Sequence, residues 1–175
     1  MELPGETYLF NLSLIAVTFT AVSALVMLMR QTMGGKLSNF DVHLITTYLS
    51  YGFVLSLIAL LPPLVFLFHP APSTLWTTSS GLAAVLLGPV LASVVFRRRK
   101  ASPQSAPLAV KASFCLHGLA IIVLLVNAVV VPWQGIHLYA AALTLSVATL
   151  MFTFVRRIAS LFGDKPGDDW DPKRG

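Results

Sequence analysis

Charge is scarce in this chain. Only 11% of its 175 residues are Asp, Glu, Lys or Arg, against about 25% in an ordinary soluble domain. A soluble chain of this length would lack the charges to cover its surface. Carboxylates are rarest: Glu2, Glu6, Asp41, Asp164, Asp168, Asp169 and Asp171 are the full set, and none lies within the long apolar stretches. Proton relays and ion-coupled carriers usually place ionisable groups inside the membrane, so their lack argues against coupled transport. Cys115 is the single cysteine. It excludes an intramolecular disulfide, and no CxxC or Cys/His cluster of zinc spacing accompanies it. Inside an apolar segment it reads as a small buried hydrophobe. The phosphate loop G-x-x-x-x-G-K-[ST], HExxH, a Ser–His–Asp set and paired intramembrane carboxylates are also missing from the sequence; MGGKLS has glycines and a lysine without the spacing. The expectation is a chain that is not an enzyme. No positive n-region precedes the first apolar stretch, where Glu2 and Glu6 stand instead. A signal peptide is therefore not expected, and the first helix should stay in the mature protein.

Apolar length is what the sequence has in quantity. Hydrophobic residues make up 56% of it, and the runs 7–29, 42–96 and 112–155 contain no Asp, Glu, Lys or Arg. A bilayer core takes roughly 20 helical residues. The first run fits one crossing and the other two fit two each. The expected fold is an all-α integral membrane protein, a five-helix transmembrane domain over 1–159 with short loops. Its helices are expected at about 8–29, 42–69, 75–96, 112–131 and 136–155, and a disordered tail at 160–175, rich in Asp, Gly and Pro. Gly34-Gly35 breaks the chain after the first helix. Pro62-Pro63 should kink or end the second, because proline removes a backbone donor and clashes with the preceding turn. Gly88-Pro89 predicts a kink in the third, its freed groups met by neighbours. HPAPST and VPWQG read as reversals of the chain.

The twelve basic residues set the expected orientation. They are Arg30, Lys36, Arg97, Arg98, Arg99, Lys100, Lys111, Arg156, Arg157, Lys165, Lys173 and Arg174. With five crossings they all fall on one side, which the positive-inside rule makes the cytoplasm. The N-terminus is then outside and the C-terminus cytoplasmic, in a cell membrane of the bacterial inner-membrane type. The net charge of +5 follows from this flanking pattern. Nucleic acid is not an expected partner, since its binding needs basic residues along a folded face. Arg97, Arg98, Arg99 and Lys100 should meet lipid headgroups. Tyr8, Trp76, Trp133 and Tyr139 fall near the outer ends of their helices, where an aromatic belt belongs.

Few side chains within the spans carry chemistry. His43 and His117 lie on the inner side and are the candidates for a bis-histidine haem site. His69 and His137 lie at the outer surface. His43 and His69 are 26 residues apart, roughly 39 Å of helix at 1.5 Å per residue, more than the roughly 30 Å hydrocarbon core. Two haems within that core are thus not expected, and no cofactor is expected at all. Asn127 is an amide deep in the fourth helix, to be used as interhelical glue or to line a path. Thr46, Thr47, Ser50, Ser56, Tyr48 and Tyr51 make the inner half of the second helix polar. A solute path, if there is one, is expected among Thr47, Tyr51, His117 and Asn127, with His43 nearby. Ala16, Thr20 and Ala24, and Ala140, Thr144 and Ala148 with Ala142 and Ser146 beside them, are small-residue faces suited to close helix packing.

Three functions compete on these grounds. The foremost is a non-catalytic membrane component: a scaffold, assembly factor or accessory subunit whose partners are the lipid bilayer and itself or other membrane subunits. The second is a small-solute channel or transporter acting as an oligomer, suggested by the proline breaks and Asn127. The third is a haem or quinone redox protein, resting on the histidines.

Overall fold

A computed structural model of the chain describes residues 3, 5–32, 39–101 and 108–163; the side chains at 27, 30, 39–45, 99–101 and 157–163 lie outside the description. Among the described residues there are five α-helices and no strand: α1 (Glu6–Thr32), α2 (Asn39–Phe66), α3 (Pro72–Ala101), α4 (Leu108–Val129) and α5 (Ile136–Gly163), with a 3₁₀ turn at Val131–Trp133. Each α-helix is long and apolar enough to cross a membrane. Consecutive helices pack side by side, and α5 also touches α1, α2 and α3, so it is the helix around which the bundle closes. The end where α1, α3 and α5 finish is called the lower end below, and the opposite one the upper end.

Several helices outrun their expected limits. The chain Arg97–Lys100, expected as a loop, forms the last turn of α3, which runs to Ala101. Arg and Lys are good helix formers, and cations suit a helix C-terminus. The same helix begins at Pro72 rather than near 75, proline being at ease in a first turn. The fifth helix continues to Gly163, so 160–163 is helical rather than disordered; 164–175 lie outside the described residues.

The double proline does not end α2, and one of the carbonyls it frees finds a partner on another helix. The helix runs through Pro62 and Pro63 to Phe66. Pro62 has no N–H for the carbonyl of Ile58, four residues back. That carbonyl instead accepts the Tyr139 hydroxyl of α5 at 2.6 Å. Beyond Phe66, His69 takes the left-handed conformation at φ 50° and its N–H bonds the Phe66 carbonyl at 2.9 Å. Histidine is among the non-glycine residues that tolerate this conformation, and Pro70 follows it. His69 is thereby a helix-ending residue, and the expected second helix of 42–69 stops three residues early.

Close approach is concentrated between α1 and α2. A Cβ on Gly52 would overlap the Thr20 side chain and lie 3.6 Å from the Ala16 carbonyl oxygen. The Ala16–Thr20 face thus packs as expected, against a glycine that the small-residue pattern did not single out. Ser13 and Ser56 share a hydrogen bond of 2.7 Å across the same seam. On α5 the outcome is split. Ala142 and Ser146 are buried, whereas Thr144 and Ala148 are exposed. Thr144 spends its hydroxyl hydrogen on the Ala140 carbonyl, so Tyr8 of α1 donates to its oxygen at 2.5 Å.

Two expectations about side-chain placement fail. Tyr139 and Trp76 are not surface aromatics: both are buried and their ring centres lie 5.9 Å apart. The polar tip of Tyr139 is needed inside by the Ile58 carbonyl. Trp133 and Tyr8 do stay exposed. Cys115 is exposed rather than buried. The inward line of α4 is Ser113, His117, Ala120, Leu124 and Asn127, and a residue two positions from both Ser113 and His117 faces away.

Candidate functional site

At the lower end a cavity of about 120 Å³ lies between four helices. Thr47, Tyr48 and Tyr51 of α2, Leu91, Val94 and Arg98 of α3, Val110, Ser113, Phe114 and His117 of α4, and Leu150 and Thr153 of α5 line it. The spacing explains the grouping. Thr47 and Tyr51 are one turn apart on α2, Ser113 and His117 one turn apart on α4, and each pair shares a helix face. Along their helices Tyr51 and His117 stand at the deep end, and Thr47, Arg98 and Thr153 nearer the lower rim.

His117 is buried, and its Nδ1 lies 2.8 Å from the Ser113 carbonyl oxygen. A carbonyl can only accept, so Nδ1 carries the proton and the neutral ring leaves Nε2 as a bare acceptor. Nε2 is sealed from solvent and has no hydrogen-bond partner; the Tyr51 hydroxyl, also buried, is in the same condition. The two rings meet edge to face with centres 4.7 Å apart. Buried polar groups are nearly always paired; among the described residues five buried side-chain atoms are not, on Tyr51, Ser79, His117, Gln134 and Ser146, and of these residues Tyr51 and His117 line this cavity and touch each other. Thr153 donates to the carbonyls of Thr149 and Leu150 at 3.0 and 2.9 Å. Its oxygen can still accept. Arg98 is half-buried at the rim.

Above the cavity the bundle is packed with apolar side chains. One turn or more toward the upper end on each helix stand Leu55, Leu87, Ala120, Leu124 and Leu143, none more than 1% exposed. They form an apolar plug across the bundle.

Asn127 belongs to a different cluster. It lies ten residues beyond His117, roughly 15 Å up α4, and is fully buried. Its Nδ2 donates to Ser80 Oγ of α3 at 2.8 Å, and its Oδ1 accepts the Gly135 N–H at 2.9 Å. Gln134 beside it donates to Thr77 Oγ1 at 2.8 Å and to the Ala128 carbonyl at 3.1 Å. This group ties α3, α4 and the start of α5 at the upper end. Asn127 is therefore glue, and the expected path through Thr47, Tyr51, His117 and Asn127 is interrupted: the structure unites the first three and separates the fourth.

The remaining candidates divide similarly. His43 lies on the first turns of α2, with its side chain outside the described residues. Arg97 is exposed, Arg98 reaches the cavity rim, and the side chains of Arg99 and Lys100 lie outside the description. Ser113 and Thr153 were not expected at a site, and Arg98 was expected at lipid headgroups rather than at a cavity. The Ser113–His117 spacing of four was the one available signal for the first of them. Among the described residues no three His, Cys, Asp or Glu side chains group to hold a metal ion. No family model, no curated protein and no solved structure matches this chain.

Proposed function

We propose that the chain is a multi-pass membrane protein of the bacterial inner-membrane type, N-terminus outside and C-terminus cytoplasmic, serving as a non-catalytic component of a membrane complex. Membrane insertion is supported by the five long apolar helices and by the many large hydrophobic side chains on the outer faces of the bundle, Leu14, Leu25, Phe53, Val85, Ile122 and Phe152 among them. Such a surface suits lipid and would be a liability in water. Orientation rests on the one-sided placement of the twelve basic residues. The observation that carries the component role is the apolar plug of Leu55, Leu87, Leu124 and Leu143. With Asn127 above it bonded to Ser80 and the Gly135 N–H, this apolar layer argues against a through-path in a single copy. Proteoliposomes of the purified protein should show no more leak of small neutral solutes than empty liposomes, and a reporter fused after Gly175 should be active only in the cytoplasm. Solute flux abolished by filling the cavity would replace this role with transport. External reporter activity would overturn the orientation.

A transporter or oligomeric channel is the second reading, favoured by the unpaired Tyr51 hydroxyl and His117 Nε2 at the cavity. A redox role is the third. A bis-histidine haem would need His43 to meet His117, and the cavity is well under the roughly 300 Å³ at which cofactor-sized pockets begin. The purified protein should be colourless; a Soret band lost in His117→Ala would promote this reading.

A further inference from the structure

We propose that the lower cavity is a binding site for a small, largely apolar molecule carrying a hydroxyl group, of the phenol or quinol kind, whose hydroxyl donates to Nε2 of His117 and accepts from the hydroxyl of Tyr51. The site stands on the cavity alone and holds whether the chain is a passive component or a carrier. Its chemistry follows from what the walls require. The Ser113 carbonyl fixes the proton on Nδ1, so Nε2 wants a donor. The Tyr51 hydroxyl wants an acceptor. One hydroxyl satisfies both, whereas a carboxylate or a bare carbonyl offers nothing to Nε2 and a quaternary cation nothing to either.

The rest of the lining chooses between water and an organic ligand. Leu91, Val94, Val110, Phe114 and Leu150 supply most of the cavity wall. A single water would find the same two partners, the minimum for a stable site, but would leave the apolar wall uncovered. Both polar atoms are also sealed by the present packing, so a ligand reaches them only by displacing side chains around them. A water returns little for that opening, while a ligand with an apolar body gains the burial of that body. The cavity of about 120 Å³ admits one small ring or short chain. Its rim carries Thr47, Thr153 and Arg98, which suits a ligand with a second oxygen at its far end, as a quinol has. Such a hydroxyl has two sources, a small phenol from the aqueous side or the head of a lipid-soluble quinol.

The test uses the full chain in lipid nanodiscs, with phenol and a decyl-substituted hydroquinone as probes. Anisole and the hydroquinone dimethyl ether, which lack the donor hydrogen, are the controls. Saturable binding of a hydroxyl probe is expected, at least about tenfold weaker for its methyl ether and about tenfold weaker in Tyr51→Phe, which keeps the ring. In protein labelled with ¹⁵N-histidine, the His117 Nε2 resonance should shift on addition of the probe; His117→Gln assigns it. Binding of phenol alone points to an aqueous ligand, and at least tenfold tighter binding of the tailed hydroquinone to a membrane-borne one. Either supports the site. Absence of saturable binding, equal affinity for the methyl ethers, unchanged affinity in Tyr51→Phe, or a static Nε2 resonance would overturn it. None of these outcomes depends on solute flux, so the site and the component role fail separately.

Discussion

Replacing Tyr139 by Phe isolates one hydrogen bond whose worth the structure lets us bound. The Tyr139 hydroxyl is buried and donates to the Ile58 carbonyl at 2.6 Å. Phe keeps the ring and its contact with Trp76, 5.9 Å between centres, so no cavity arises. What is lost is the partner of a carbonyl that Pro62 has already deprived of its helical N–H. An orphaned buried acceptor costs about 1–3 kcal/mol, while hydrogen bonds within lipid-embedded bundles average ~0.6 and reach ~1.7 kcal/mol. The milder bilayer figures apply where an alternative partner exists. Here Ile58 is fully buried and Pro62 forecloses the alternative, so about 1.5 kcal/mol is expected. Pro62→Ala supplies the control. With alanine at 62 the N–H returns to Ile58, and Tyr139→Phe should then cost no more than about 0.5 kcal/mol. The packing change at Pro62 cancels in the double-mutant cycle. Equilibrium unfolding in mixed micelles titrated with SDS, followed by far-UV circular dichroism, yields the four free energies. A coupling of about 1 kcal/mol is expected. Additivity within the ~0.3–0.5 kcal/mol typical of independent sites would refute the idea that Tyr139 stands in for the missing N–H.

Gly52→Ala should destabilise by about 1–3 kcal/mol, the usual cost of overpacking, because the new Cβ meets Thr20; Thr20→Ala should recover part of the loss, read by the same titration. Asn127→Leu removes the bonds to Ser80 and Gly135 together and should cost about 2 kcal/mol, without altering ligand affinity at the cavity roughly 15 Å below; a matched loss of affinity would mean that the two polar clusters are coupled. Ala148→Leu, on an exposed stripe of α5, should leave monomer stability within about 0.5 kcal/mol, and a change of oligomer size on gel filtration without a change in stability would mark that stripe as a contact between copies.

The helices were legible and their facing was not, for one physical reason. Length and lack of charge declare a crossing segment because burial in hydrocarbon penalises any charge along it. Azimuth is declared in soluble helices by polar against apolar faces. Here both the inner and outer sides of a helix are apolar, so Cys115 and His117, two residues apart, gave no sign that one faces out and the other in. Facing could be read only where a residue type has a packing reason, as with Ala16 and Thr20. Even there, the same pattern at Ala140, Thr144 and Ala148 turns outward, since small residues serve an inner seam, an outer seam or none.

The site divides along the same line. Polar residues inside apolar helices stand out in any sequence, and Thr47, Tyr51, His117 and Asn127 were all visible as exceptions. Whether an exception is settled or waiting is a matter of partners, and partners come from other helices. Asn127 finds two, Ser80 and the Gly135 N–H, 47 and 8 positions away, so its polarity is spent on holding α3, α4 and α5 together. His117 spends only Nδ1, on its own helix, and Tyr51 spends nothing. The sequence shows four exceptions of equal rank. Packing leaves two with a hydrogen bond still to make, in contact with each other, beneath an apolar layer of the core. That inequality carries the ligand site, and it would vanish if Tyr51→Phe bound the hydroxyl probes as well as the unaltered protein does.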